Sequence, residues 1–277
     1  MKRPAQHSCR YFSLKRWSTG VFCRSGFTLI ELMMVISIVT ILSMLLLPAL
    51  RRSREKARGS VCSSNMRQLT VGVFNYASDK EDDLPWASPA DRNAPGDWVG
   101  GGPGSIGLKD EANWSTVGFA YHVESGSIFN YVTGLSRQEI NNDADRSSYR
   151  VYRCPSSDKL RAALRNNYSL NGYLDPGSRY SAAQLRSGED VVNFRLGSVL
   201  SPSEKVMMVG EAPQVMNDAK FSPSASFNRP IDMVQSHNET SNYSFFDGSI
   251  HPIPGNLMIE VMKAKNLSDR YFDLARP

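Results

Sequence analysis

Histidine and cysteine are scarce in this 277-residue chain, four of each, and Cys9, Cys23 and His7 fall within the first 26 residues. None of them stands in a C-x-x-C or H-E-x-x-H arrangement, and the sequence holds neither a G-x-S-x-G elbow nor a P-loop. Gly102, Gly104 and Gly107 match G-x-G-x-x-G formally, but no strand precedes them and Pro103 interrupts the turn, so the match is discarded. The chain therefore reads as non-catalytic. Acidic residues are missing altogether from residues 1–26, which hold Lys2, Arg3, Arg10, Lys15, Arg16 and Arg24. Removing those charges takes the net charge from +5 to −1, so the basic pI belongs to the leader. Nucleic-acid binding driven by overall positive charge is excluded for the remainder.

One long apolar run is present, from Phe27 to Leu47, and its 21 positions are about the number that crosses a hydrocarbon core as a helix. Glu31 interrupts it one turn from its start. A carboxylate deep in lipid costs on the order of 3 kcal/mol or more, so Glu31 calls for a partner charge or a functional reason. A secretory signal would have a shorter apolar core and a small-residue cleavage site, which Leu47-Pro48-Ala49 does not supply. A plain single-span anchor would leave the glutamate unexplained.

Gly26-Phe27-Thr28-Leu29-Ile30-Glu31, set between the basic leader and the apolar run, resembles the processing site of type IV prepilins and type II secretion pseudopilins. The resemblance implies cleavage after Gly26 by a prepilin peptidase, N-methylation of the new terminus at Phe27, and a pairing of Glu31 with the Phe27 ammonium of a neighbouring subunit. Elementary electrostatics agrees, because opposite charges brought together in a low-dielectric bundle attract strongly while either alone is penalised. The implied partners are the peptidase/N-methyltransferase, other pilin-like subunits and inner-membrane lipid, without nucleic acid. The leader is expected in the cytoplasm, residues 27–48 across the bacterial inner membrane and the headpiece in the periplasm, although Arg51, Arg52, Arg54, Lys56 and Arg58 beyond the span make the inside-positive bias modest.

The resulting expectation is an α+β, pilin-like fold. It comprises a cleaved leader at 1–26, a transmembrane helix at 27–48, an amphipathic helical extension at 49–79 and a headpiece at 80–277 built on an antiparallel sheet with long loops. In the extension, Cys62, Met66, Leu69, Val73 and Tyr76 recur at helical spacing on one face, with Arg58, Ser64, Arg67 and Asp79 left to face water. The Pro- and Gly-rich stretch from about 80 to 120 reads as loop; Trp86, Trp98 and Trp114 within it either stack on a sugar or peptide or cover the sheet. Short strands are expected over 126–132, 151–156, 167–173 and 206–209. Asp247-Gly248, between Tyr243–Phe246 and Ser249–His251, signals a two-residue hairpin.

His237, nine intervening residues and Asp247-Gly248 resemble the His-x9-Asp-Gly signature of prepilin-type processing-associated proteins. Glu211, His237 and Asp247, with His251 nearby, are candidate ligands for a divalent cation such as calcium, which related pseudopilins hold in a carboxyl-terminal loop; otherwise these side chains satisfy the hairpin ends. No other cofactor is expected. Outside the leader the cysteines are Cys62 and Cys154, either bridged in an oxidising compartment or buried as free thiols. The functional expectation is a structural pilin or pseudopilin subunit of a type II secretion or type IV pilus-like system. The alternatives are a surface-anchored binding module, with carbohydrate as a candidate ligand, that uses prepilin processing only for export, and a membrane-tethered hydrolase.

Overall fold

The computed structural model describes residues 27–88, 94–99, 123, 126–135, 150–156, 166–181, 184–185, 191–211, 219–223, 237 and 240–276. The leader, Gly26, Trp114 and most of the glycine-rich loop lie outside the described residues. The chain divides into two units, residues 1–49 and 50–277.

Helix α1 (Leu29–Asp79) runs for 51 residues with Pro48 inside it. In the first unit every described residue is solvent-exposed, including Leu29 at 76% and Leu45 at 74%. By length and composition this helix is long and apolar enough to cross a membrane. Its few hydroxyls are satisfied internally: Ser37, Thr40 and Ser43 donate to the carbonyls of Met33, Ser37 and Val39 at 2.7, 2.8 and 2.7 Å. None of those three hydroxyls is left without a partner.

In the second unit α1 buries Cys62, Met66, Leu69, Thr70, Gly72, Val73 and Ala77. This is the expected stripe, except that Tyr76 is half-buried at its rim, edge-on to Tyr131 with ring centroids 5.8 Å apart. The stripe lies on a five-stranded sheet of order β3-β1-β2-β4-β5, made of β1 (Tyr168–Asn171), β2 (Val206–Gly210), β3 (Lys220–Phe221), β4 (Thr240–Phe245) and β5 (Ile250–Pro254). All joints are antiparallel but one; β1 and β3 run parallel. The strand period of two separates the faces in β1 and β4, while a register shift between Val206 and Met208 puts Met207 and Met208 on the same side of β2. Tyr168, Leu170 and Met208 join the α1 stripe in the main core, while Val206, Val209, Tyr243 and Phe245 meet helices α3 (Gly255–Lys263) and α4 (Lys265–Phe272) in a second cluster with Met258, Val261, Met262 and Phe272. On the α1 side of β4, Ser244 accepts from the Thr70 hydroxyl at 3.1 Å and Asn242 donates to the Gly59 carbonyl at 3.2 Å, so the strand's polar residues are paired where they meet the helix. Lys205, fully buried along its stem, donates its ammonium to the Arg270 carbonyl in the last turn of α4, where a cation is favoured.

Three expectations are corrected. Residues 126–132 are not a strand; helix α2 (Phe129–Thr133) forms there and ends on Gly134 at φ 70°, whose N–H donates to the Asn130 carbonyl at 2.9 Å. Adjacent Ile128 and Phe129 are both buried, which a half-buried strand would not allow. The helix packs so closely on α1 that a Cβ on Gly72 would lie 2.3 Å from Val132 Cγ2, which accounts for the glycine. Residues 150–152 form a single 3₁₀ turn in place of a strand, held by Asn65 of α1, whose amide donates to the Arg150 and Arg153 carbonyls at 3.1 and 2.9 Å. Finally, the β4–β5 hairpin loop has three residues, since Phe245 N–H bonds the Ser249 carbonyl at 2.9 Å and Gly248 at φ 84° closes the turn onto Phe245. The extra residue, Phe246, is buried and its N–H donates to the Lys205 carbonyl at 3.0 Å.

Candidate functional site

The start of α1 is a reciprocal cap. Thr28 N–H and Thr28 Oγ1 both donate to Glu31 Oε2, at 2.9 and 2.6 Å, and Glu31 N–H donates to Thr28 Oγ1 at 3.3 Å. Thr-x-x-Glu at a helix start is the capping box, in which two orphan N–H donors satisfy each other's residues. Glu31 therefore has a local structural role that its reading as an assembly charge alone missed, and the spacing Thr28-x-x-Glu31 was the available signal. The cap also fixes where the charge sits: Glu31 Oε2 is held beside the amide that follows Phe27, the residue that would carry the mature amine. Phe27 is 75% exposed, so nothing in the described chain covers that position.

A second constellation lies in the 50–277 unit, where α1, the loop before β1 and the approach to β4 converge. Its parts are placed by backbone bonds. Cys62 faces inward on the α1 stripe. Cys154 follows the 3₁₀ turn that Asn65 holds, with its N–H donating to Asn167 Oδ1 at 3.1 Å. His237 is fixed by reciprocal backbone bonds with Thr240 at 2.9 and 3.0 Å, just ahead of β4. The Cys62 and Cys154 sulfurs and one His237 ring nitrogen all lie within 4.8 Å of one another, and all three residues are buried. His237 Nε2 stands 3.3 Å from Cys154 Sγ; its Nδ1 stands 2.8 Å from Glu55 Oε1 and 3.1 Å from Ser156 Oγ. Ser156 Oγ also donates to Glu55 Oε1, and Arg58 reaches Glu55 Oε2 at 3.3 Å. The Tyr168 hydroxyl donates to Cys62 Sγ at 3.4 Å.

These contacts set the charge of the group. The hydrogen bond from Cys154 holds the Cys62 thiol well below its ordinary value, against the effect of burial. Burial pushes the His237 imidazole down, but its bonds to Cys62 and to Glu55 outweigh that and leave it above its ordinary value. Burial likewise raises the Glu55 carboxyl, and bonds from Ser156 and His237 bring it to a net lowering. The cluster thus favours anionic sulfur beside an imidazole oriented by a carboxylate. Cys62 and Cys154 are unbridged thiols here.

The structure does not gather Glu211, His237 and Asp247 into one site. Asp247 sits exposed in the hairpin loop and its Oδ1 accepts from Ser249 N–H at 2.8 Å, a turn-stabilising role. The six residues of β4 separate it from His237, about 20 Å of strand at 3.3 Å per residue. Glu211 is buried at the end of β2 with its N–H on the Asn167 carbonyl at 3.0 Å, and His251 is exposed, edge-on to Phe245 at 5.6 Å. Among the described residues, the only group of three ligating side chains is Cys62, Cys154 and His237. No local spacing could have revealed it. The two described tryptophans are core residues: Trp98 is fully buried with its indole N–H on the Ala219 carbonyl at 2.8 Å, and Trp86 is 5% exposed and bonds Asn193 Oδ1; Trp114 lies outside the described residues.

The family model described as Protein of unknown function (DUF1559) matches residues 51–196, and the model described as Prokaryotic N-terminal methylation motif matches residues 22–47. No curated protein and no solved structure matches the chain.

Proposed function

The chain belongs to the DUF1559 family of proteins of unknown function and is prepilin-like at its amino terminus, and from that we propose that it is a structural, non-catalytic pilin or pseudopilin subunit, made as a precursor and built into a membrane-anchored assembly. The observation that carries this reading is the methylation motif running straight into a helix whose apolar residues from Leu29 to Leu50 are all exposed. Exposed apolar surface on that scale needs lipid or like helices around it. Cleavage by a prepilin peptidase after Gly26 frees the Phe27 amine. Glu31, held by its cap at the same end of the helix, offers that amine of a neighbouring copy a counter-charge in a medium where neither charge is tolerated alone. The leader stays in the cytoplasm and the sheet-bearing unit lies outside the inner membrane, as a component of a type II secretion or type IV pilus-like system. Burial of Trp86 and Trp98 removes the described aromatic surface on which a carbohydrate-binding alternative rested.

Site-specific crosslinking tests the assembly. Ser37 and Ser43 are exposed on the apolar helix, and Ser37→Cys or Ser43→Cys in the membrane-inserted chain should give crosslinked dimers and higher ladders when the secretion or pilus machinery is co-expressed. A chain that stays monomeric under those conditions would contradict the reading.

A further inference from the structure

We infer that Cys62, Cys154 and His237 form a binding site for Zn²⁺. The three donor atoms come from sequence-distant segments, are buried, and already lie within 4.8 Å of one another. Two sulfurs and one imidazole nitrogen are the soft and borderline donors that zinc takes at its tetrahedral sites, and they are wrong for calcium, which takes oxygen. The surroundings point the same way. His237 presents Nε2 to Cys154 Sγ at 3.3 Å and fixes Nδ1 on Glu55 at 2.8 Å, the carboxylate–histidine arrangement that orients an imidazole for a metal. Glu55 is itself held by Ser156 and Arg58, so its charge is compensated outside the donor set.

A disulfide makes no use of an oriented imidazole, whereas Zn²⁺ with two thiolates and a neutral histidine is uncharged overall, the condition a buried site requires. Binding is balanced by release of the thiol protons; no electron is transferred. The Tyr168 hydroxyl, 3.4 Å from Cys62 Sγ, borders the sulfur at the edge of the set. His237 also lines a groove of about 630 Å³ with Glu55, Gly59, Arg67, Thr240 and Asn242, which gives the ion a route from solvent. The ion would tie α1 to the Cys154 turn and to the approach of β4, and would give His237 of the His-x9-Asp-Gly segment a defined task.

The test uses the full chain in detergent, purified under reducing conditions and stripped with chelator. Added Zn²⁺ should bind at one ion per chain by elemental analysis and raise the melting temperature. Co²⁺ in its place should show sulfur-to-cobalt charge-transfer absorption and the intense visible bands of a tetrahedral site. Cys154→Ser should lose the charge-transfer intensity contributed by that sulfur, and Glu55→Gln should keep the cobalt spectrum but weaken affinity about 10- to 100-fold, as a positioning residue does. The proposal is overturned if the reduced, folded chain takes up no zinc, if Cys154→Ser leaves the cobalt spectrum unchanged, or if chain isolated from its native membrane carries Cys62 and Cys154 as a disulfide. None of these outcomes depends on processing or assembly.

Discussion

Replacing Glu31 by glutamine separates its role in the helix cap from the ionic role proposed for it in assembly. The cap needs an acceptor oxygen at the third helical position, and glutamine supplies one, so Thr28 N–H and Oγ1 keep their partner. The ionic role needs a charge, which glutamine lacks. Two unit charges 4 Å apart attract by about 4 kcal/mol at an effective dielectric of 20, on the order of a thousandfold in association per contact. Losing the carboxylate half of the capping box, as Glu31→Ala does, leaves the backbone N–H of position 31 on Thr28 Oγ1 and costs about 0.5–1.5 kcal/mol, the worth of one hydrogen bond. Glu31→Gln should therefore insert and be processed like the parent chain, yet fail to co-purify with a tagged wild-type copy in the same membrane. Glu31→Ala should fail at association too and should also fray the first turn, seen as faster amide exchange at Leu29–Leu32. Equal co-purification of the glutamine variant and the wild type would refute the charge argument and leave capping as the whole explanation of Glu31.

Leu69→Ala, at a fully buried position of the α1 stripe, should lower the stability of the 50–277 unit by about 2–5 kcal/mol, measured by thermal or denaturant unfolding, while leaving membrane insertion unchanged. Gly126→Ala places a Cβ 2.2 Å from the Trp98 carbonyl oxygen, a backbone atom that cannot swing aside, so it should destabilise by at least about 1–3 kcal/mol and shift the Trp98 fluorescence. Glu204 accepts from Arg270 at 2.9 and 3.0 Å, and that bond holds its carboxyl below its ordinary, unfolded value. Its contribution is fully present above that unfolded value and is lost as pH falls through the lower folded one. Glu204→Gln should thus melt slightly below the parent at pH 7, with the difference vanishing in acid; a gap that widens as pH falls would contradict the assignment.

Much of the architecture could be read along the chain because its signals were local. The 4-3-4-3 recurrence from Cys62 to Tyr76 needs only a helix to become a stripe, and Asp247-Gly248 needs only a turn, though the burial of Phe246 lengthened the loop to three residues. Where neighbours decide, reading failed. Phe129–Thr133 is helical because Ile128 and Phe129 are both drawn into the core beside Gly72, and the helices at Gly255–Lys263 and Lys265–Phe272 went unread although Met258, Val261 and Met262 lie on one face. Of the amino-terminal site, the motif singles out Gly26-Phe27 and Glu31, and the cap partner Thr28 stands in the local spacing Thr28-x-x-Glu31. The Cys62–Cys154–His237 group joins residues more than 80 positions apart, so only the sheet and the α1 contact bring it into being. Asp247, adjacent to His237 only through a spacing rule, stays at the far end of β4.

The proposed assembly depends on conversion of the precursor into a chain that begins at Phe27. Intact-mass and amino-terminal peptide analysis of the protein recovered from its native membrane should find Phe27 at the terminus carrying one N-methyl group, with residues 1–26 absent. A chain that keeps its leader, or one cut beyond Leu47, would contradict it.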